Sequence, residues 1–479
     1  MAQETQEGVT SKKSRLSEWY NEITVKAELA DYSAISGCMV IRPYAYAIWQ
    51  NIQSYFDKRL KEEGHKNAYF PLFIPERFLH KEKEHFEGFN PEVAYIERKD
   101  EKEERYALRP TSETIMYDSY SKWIRSWRDL PLLINQWCNI VRWEVKATRL
   151  FLRTREFLWQ EGHTAHKTKE DADKEIQLIL KLYLDLIEGE MAVPVLKGMR
   201  PEHDKFPGAL YTLAMEALMP DGKALQMGTL HNLGQNFSKP FNIKYRDKNE
   251  KEQHVWQTSW GISTRMIGSL IMSHGDDKGL IMPPRIAPIQ AVIVPIIFEK
   301  EKAKTLKEAG RLNDKLSEKL RVELDDRDGY SAGWKFNEWE MKGVPLRIEI
   351  GPKDIKANQV VVVRRDTGEK KTIKVSGQLE NHIHEILEDI QKNLFRRAKK
   401  KMNDNIVEVK NYEELKKAIK DKKMVKTVWS GDPKAEDKIQ NDTAANIRLI
   451  PLKGDTPKGQ CVVNPKKKAK HIVYISKAY

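Results

Sequence analysis

Apolar residues fall at helical spacing after Pro43, where Ala45, Ile48, Trp49, Ile52 and Phe56 share one face, and Gly64 supplies a stop. Proline's fixed backbone angle suits a first helical turn, so the helix is predicted to begin at Pro43. A second stripe (Ile176, Ile179, Leu180, Tyr183, Ile187) follows Thr168, with Glu170, Asp171 and Asp173 at the positive N-terminal end of the helix it defines. Between these helices lie short apolar runs, such as 132–135 and 139–145, that read as strands joined by polar turns. Strands and helices mixed without strict alternation predict an α+β domain over residues 16–285, an antiparallel sheet flanked by helices. The pattern changes after the junction at 274–288, which Pro283, Pro284 and Pro288 stiffen. AVIVPII, PLRIEIG and QVVVVRR read as strands, and 299–321 and 377–398 as helices. That alternation predicts a small α/β domain over 286–400 with a mostly parallel sheet. A lysine-rich third region, 401–479, ends HIVYISKAY and is expected to form a small α+β domain.

Length and charge narrow the function without naming it. A chain of 479 residues can bury a large core in two to four domains, and its formal net charge of +13 favours a polyanionic partner. Three cysteines, Cys38, Cys138 and Cys461, are an odd number in a large chain, which points to a reducing, cytoplasmic compartment. The N-terminus is polar through Arg15, with no apolar signal segment, and no apolar run approaches the ~20 residues of a membrane span.

The densest chemistry sits in NIVRWEVKATRLFLRTREFLWQEGHTAH, from residue 139 onward. Arg142 and Glu144, two apart, are expected on one face of a strand; a basic loop, Lys146 to Arg149, follows, then a second strand with Arg153, Arg155 and Phe157. Arginine grips phosphate or carboxylate with a two-pronged fork and keeps its charge when buried. No GxGxxG or GxxxxGK[ST] loop occurs, so a nucleotide would have to be held by side chains. Asp276 and Asp277 in HGDDKG suit a turn better than a metal site. His163 and His166 lack a third ligand at a recognised spacing, so no metal ligand is assigned.

This stretch resembles motif 2 of the class II aminoacyl-tRNA synthetases, and of the prolyl-tRNA synthetase family in particular. GCMVIRPYAYAIWQNIQSYF with NAYFPLF resembles motif 1, a dimer-interface helix and strand; RPTSET (109–114) resembles the loop that grips the amino acid. QMGTLHNLGQNFS from Gln226 resembles a third active-site strand, and WGISTRMIG resembles motif 3, with its arginine at Arg265. These ordered blocks span about residues 15–400. The resemblance implies a class II catalytic domain, an anticodon-binding domain and a C-terminal extension of the archaeal and eukaryotic-like type. It also implies ATP with Mg²⁺, L-proline and tRNA(Pro) as substrates, and a homodimer.

The same resemblance implies roles residue by residue. Arg142 would bridge the substrate carboxylate and the α-phosphate. Arg153 would meet the γ-phosphate side, and Arg265 would bind phosphate and cover one face of adenine, with Phe157 stacked on the other. Gln226 and Thr229 would contact the nucleotide or its magnesium, and Glu144, Thr154 and Ser263 complete the ATP side. Thr111 and Glu113 would accept the two hydrogens of proline's ammonium, between pocket walls at Trp159, Glu161, His163 and His231. Glu340, Arg347 and Lys353 would face the anticodon, and the runs RRAKKK (396–401) and PKKKAK (465–470) could meet tRNA phosphates. Many relatives hold a structural zinc with four cysteines in the last region; here the matching positions are Ser430, Ala435, Cys461 and Val463, and one thiol cannot complete a tetrahedral shell. An apolar cluster of Val425, Val428, Trp429, Ile472 and Val473 is expected in its place. Residues 166–258 are expected to hold catalytic-domain elements only, without the editing insertion of bacterial-type relatives. A non-catalytic, RNA-binding paralogue would be expected to lose its phosphate-binding arginines, yet Arg142, Arg153 and Arg265 are all present.

Overall fold

The computed structural model describes residues 9–79, 92–453 and 456–479. The Pro43–Glu62 helix starts at the proline and buries Ala45, Ile48, Trp49, Ile52 and Phe56, with Leu60 added. The chain leaves it through Gly64 at φ 89°, a left-handed angle that favours glycine. The second helix, Lys169–Leu184, is capped by Thr168, whose side chain accepts from the Asp171 amide at 3.1 Å. It passes into a π-helical turn, Asp185–Glu190, which buries Leu186 and Ile187.

Both helices cover an antiparallel sheet whose strands run, side by side, Leu196–Met199, Tyr211–Leu218, Ala224–Gly234, Trp256–Ser263, Glu156–His166 and Leu132–Val141. Lys66–Asn67 adds a short parallel edge. The sheet does not stop within residues 16–285. Beyond Leu196–Met199 it continues through Asn446–Pro451, His471–Ser476, Met424–Trp429 and Ile406–Glu408, so the C-terminal region extends the same eleven-stranded sheet. Gly198 makes this junction possible, since a Cβ there would meet the Ile450 carbonyl oxygen at 2.4 Å.

Two local expectations fail at the motif 2 hairpin. Residues 132–141 form one strand rather than two, and it ends at Val141, so Arg142 and Glu144 share no strand face. The returning strand begins only at Glu156, leaving Arg153 and Arg155 ahead of it. The Arg142 amide bonds to the Arg155 carbonyl at 2.7 Å and closes the ladder there. The chain between turns back to bury Leu150, Phe151 and Leu152 in the main core, which pairing as a strand would forbid.

The second sheet is mixed rather than mostly parallel. Ala291–Pro295 pairs parallel with Val322–Leu324 and Leu346–Ile350, but Gln359–Arg364 and Lys370–Lys374 are added antiparallel. Residues 351–358 are too few for a crossover, which needs a dozen or more. In the last region Val425, Trp429 and Val473 are core, together with Leu415, Ile439, Ile447, Cys461 and Ile475. Val428 and Ile472 lie opposite each other in the register on the other face and are only half-buried, because strand residues alternate sides. Among the described residues no helix is long and apolar enough to cross a membrane.

Candidate active site

A cavity of about 530 Å³ opens over the central sheet, beside the N-terminus of the Arg265–His274 helix. At one end, Glu113 is the first residue of the Glu113–Trp123 helix, nearly fully buried, and accepts a short hydrogen bond from the Thr111 hydroxyl. Arg109 locks this loop from beneath, donating to the Phe70 and Asn139 carbonyls at 2.8 Å each. Glu161 and His163 project from the next strand and bond through Oε2 and Nε2 at 3.0 Å. The other Glu161 oxygen accepts from Ser112 at 2.5 Å and from Gln136 at 2.9 Å. Burial pushes the Glu161 carboxyl up, but the hydrogen bond and charge of His163, with Ser112 and Gln136, outweigh it and hold it below the usual carboxylate range. His163 shifts the other way: burial lowers it, and the Glu161 hydrogen bond with the Glu113 and Glu161 charges raises it overall. Each shift has the other member of the pair among its causes, so the hydrogen bond favours the charged form of both against burial.

His231 forms the opposite wall as a neutral ring. Burial, with the nearby charges of His163 and Arg200, pushes it down to about 3. Its Nδ1 pairs with the Thr212 hydroxyl at 2.9 Å, and the Phe206 ring covers it at 4.6 Å between centroids. Trp159 and Phe157 close the side from which Arg142 reaches in, its guanidinium 5.6 Å from Phe157 and 5.8 Å from Trp159.

The other end of the cavity is cationic. Arg265 donates to the Leu152 carbonyl at 3.0 Å. Burial first, then the charges of Arg142, Arg153 and Arg448, push it down to about 10, against the opposing pull of Glu216, so it stays charged at neutral pH. Arg200 donates to Gln226 at 2.6 Å and to Glu216 at 2.5 Å. Arg448 reaches the same Glu216 oxygen at 2.7 Å. Arg142, Arg200, Arg265 and Arg448 thus outnumber the one buried carboxylate among them, an arrangement suited to a polyanion.

The cavity gathers most of the expected residues: Thr111, Glu113, Arg142, Phe157, Trp159, Glu161 and His163, together with Gln226, Thr229, His231, Ser263 and Arg265. Glu144, Arg153 and Thr154 do not line it; Glu144 and Arg153 are exposed in the loop and Thr154 is buried, bonding the Glu156 carbonyl at 2.7 Å. Arg200, Phe206, Thr212, Arg448 and Tyr479 line it without having been expected there. Tyr479 donates to Asp221 at 2.8 Å and its amide bonds to the Ala224 carbonyl. Nothing local marks these residues, since each lies in a segment whose neighbours are ordinary loop or strand.

In the second sheet Glu340 and Arg347 share a narrow cleft with Trp339, and Lys353 stands apart, exposed at the start of a short helix. Arg347 pairs with Glu349 at 2.9 Å and lies 3.9 Å over the Phe336 ring. His163 and His166 do not converge on a common point: His166 turns to the Thr164 hydroxyl at 2.7 Å. Asp276 is held by Arg365 at 2.6 Å.

Residues 94–274, which carry the sheet and most of the cavity, match the family model "tRNA synthetase class II core domain (G, H, P, S and T)". Residues 290–385 match "Anticodon binding domain" and 412–479 match "Prolyl-tRNA synthetase, C-terminal". The chain is 52% identical over 457 residues to a protein named Proline--tRNA ligase from Natranaerobius thermophilus, covering 95% of this chain and 94% of that one. A protein of the same name from Alkaliphilus oremlandii is 52% identical over 476 residues, covering 99% and 98%. Proline--tRNA ligase 2 of Bacillus cereus is 50% identical over 482 residues, covering both chains fully. The chain belongs to the prolyl-tRNA synthetase family.

Proposed function

We infer that this chain is a proline–tRNA ligase. It activates L-proline with ATP to prolyl-adenylate, transfers the prolyl group to the 3′ end of tRNA(Pro), and releases AMP and pyrophosphate. One observation carries the reading: a single cavity holds buried carboxylates at one end, Arg200, Arg265 and Arg448 at the other, and Arg142 between them. Proline brings an ammonium and a carboxylate, and ATP brings a triphosphate, so the two ends match the two substrates. The proline carboxylate is already a nucleophile and needs no general base; positioning and charge neutralisation suffice. Both Glu161 oxygens are taken up by His163, Ser112 and Gln136, so Glu113 is the carboxylate left to meet the secondary ammonium, with Thr111 beside it. Arg142, between the two ends, joins the proline carboxylate to the α-phosphate. Arg265 and Phe157 sandwich adenine, and Gln226, Thr229 and Ser263 border the nucleotide. Glu144, Arg153 and Thr154, outside the cavity walls, serve the ATP side from the motif 2 loop, Arg153 toward the γ-phosphate. Magnesium arriving with ATP supplies further neutralisation of the phosphates. Pyrophosphate exchange across the standard amino acids tests the reading: strong exchange with proline is expected, and strong exchange with another amino acid but none with proline would refute it.

Further readings rest on specific supports. Division into 16–285, 286–400 and 401–479 is supported by the three family matches and by separate apolar clusters. A homodimer is supported by the exposed apolar residues of the motif 1 elements, Val40, Tyr46, Tyr69 and Phe73; a fully active monomer in sedimentation at assay concentration would refute it. The archaeal and eukaryotic-like type without an editing insertion is supported by residues 169–263, which run through elements of the catalytic region. Glu340, Arg347 and Lys353 as anticodon readers are supported by their place in the matched segment. A cytoplasmic location fits the unpaired cysteines. The C-terminal region offers zinc a poor donor set: at 430, 435, 461 and 463 stand a hydroxyl, a methyl, a thiol and an isopropyl group. Ala435 and Cys461 belong to one apolar cluster, with Val463 packed against it, which supports the reading that these positions hold no zinc.

A further inference from the structure

The segment 200–208, MRPEHDKFPG without its first and with its last residues, carries a wall of the substrate cavity: Arg200 at its base touches Gln226, and Phe206 near its end covers His231. Within the catalytic region it is tied at both ends, by the Arg200 amide on the Thr212 carbonyl at 2.9 Å and the Phe206 amide on the Thr212 hydroxyl at 2.9 Å. Its middle, Glu202 to Asp204, is exposed. Arg200 holds Asp204 and Lys205 pairs with Glu202 within the segment, while His203 is met from the C-terminal region.

Two contacts come from that region. His203 Nε2 lies 3.1 Å from Glu436 Oε1, on the Pro433–Thr443 helix. Glu436 is nearly fully buried; the same oxygen also accepts from the Ile447 amide at 3.3 Å, and its second oxygen has no hydrogen-bond partner among the described residues. A buried carboxylate so poorly served is costly as packing alone. Arg448, on the neighbouring strand, shares the fully buried Glu216 with Arg200, and its Nε is likewise unpartnered among the described residues. Arg200 also holds Asp204 at 3.0 Å, so one guanidinium joins the segment, the Glu216 anchor and Gln226. The support beneath is stiff, since the strand bearing Arg448 is hydrogen-bonded to the strand that leads into Arg200, with Ile450 opposite Met199.

We propose that Glu436 and Arg448 are positioning residues for aminoacyl-adenylate formation, the first setting the 200–208 wall over the amino-acid end of the cavity and the second setting Arg200 and Gln226 at the nucleotide end. The proposal rests on the ligase reading of the cavity. It makes the C-terminal region a working part of the active site, in which each polar bridge governs a different substrate.

The test uses the full-length protein and pyrophosphate exchange, with thermal unfolding measured in parallel. Glu436→Gln and His203→Gln should each raise KM for proline about three- to ten-fold with kcat changed less than two-fold, and the double variant should be no worse than the poorer single one. Arg448→Ala should instead raise KM for ATP by at least as much, and Arg448→Lys should recover part of the loss. Additive losses in the double variant, or unchanged KM values with a lowered unfolding temperature, would overturn the proposal by reducing these contacts to structural ones. A wild-type chain without proline-dependent exchange would instead overturn the ligase reading itself, so the two failures are distinguishable.

Discussion

Replacing Gly162 with alanine should damage both the fold and the cavity wall that carries Glu161 and His163. Gly162 lies between Glu161 and His163 on the Glu156–His166 strand, directly across the register from Trp260. A Cβ there would sit 2.1, 2.2 and 2.3 Å from three carbons of the Trp260 indole. Carbon atoms pack at about 3.5–4.0 Å, so the ring or the strand must move by roughly 1.3 Å or more. The indole has little room: Trp260 is 2% exposed and is met edge-on by His65 at 5.5 Å and Tyr183 at 6.2 Å. Overpacking of this kind costs typically 1–3 kcal/mol, and a rigid bicycle should place it near the top, at about 3 kcal/mol. Glu161 and His163 point to the opposite face, so a bend in the strand carries them with it. A displacement of about 1 Å at a reacting site can cost on the order of 100-fold in rate. Gly162→Ala is therefore expected to lower the unfolding temperature and to raise KM for proline more than KM for ATP. Gly310→Ala is the control, an alanine placed within the Lys302–Ser317 helix where nothing lies within 4 Å; it should be neutral or stabilise by up to about 1 kcal/mol. Wild-type stability and wild-type KM for proline in Gly162→Ala would refute the reasoning.

Arg142→Ala should abolish proline-dependent exchange in a folded protein, a loss of about 3 kcal/mol or more of transition-state stabilisation, whereas Glu113→Ala should act chiefly on KM for proline; near wild-type exchange in a folded Arg142→Ala protein would remove its assigned role. His231, neutral and pushed down to about 3, takes up no proton in the folded state where the unfolded chain does, so it costs no stability above about pH 6.5 and about 1.4 kcal/mol per pH unit as the pH falls toward 3. Acid unfolding of His231→Gln should accordingly show a shallower loss between pH 6 and 4 than wild type, and equal slopes would contradict the assignment. Metal analysis of purified protein should find well under one zinc per chain, and stoichiometric zinc resisting chelation would show that another donor set exists.

What could be read from the sequence was what repeats locally or comes in marked blocks. Helical spacing placed Pro43–Glu62 and the Lys169–Leu184 helix with their buried faces, since three- and four-residue contacts are written in adjacent residues. The resemblance of the RPTSET loop and the other motif-like blocks to a known family brought out Thr111, Glu113, Arg142 and Arg265, which line one cavity, because each block is a contiguous signature. Strand ends and partners were another matter. Arg142 lies beyond the end of its strand because the following apolar triplet, Leu150 to Leu152, is drawn into the main core. The second sheet turned antiparallel because 351–358 is too short to cross over, and Val428 and Ile472 fell to the outer face through the register of two distant strands. Arg200, Glu216 and Arg448 meet only because Asn446–Pro451 joins the edge of the catalytic sheet. A lone arginine on a strand carries no periodic signal of its partner. Which edge a strand joins is set by the burial of whole faces at once, and so only the tertiary structure decided that the C-terminal region would complete the cavity.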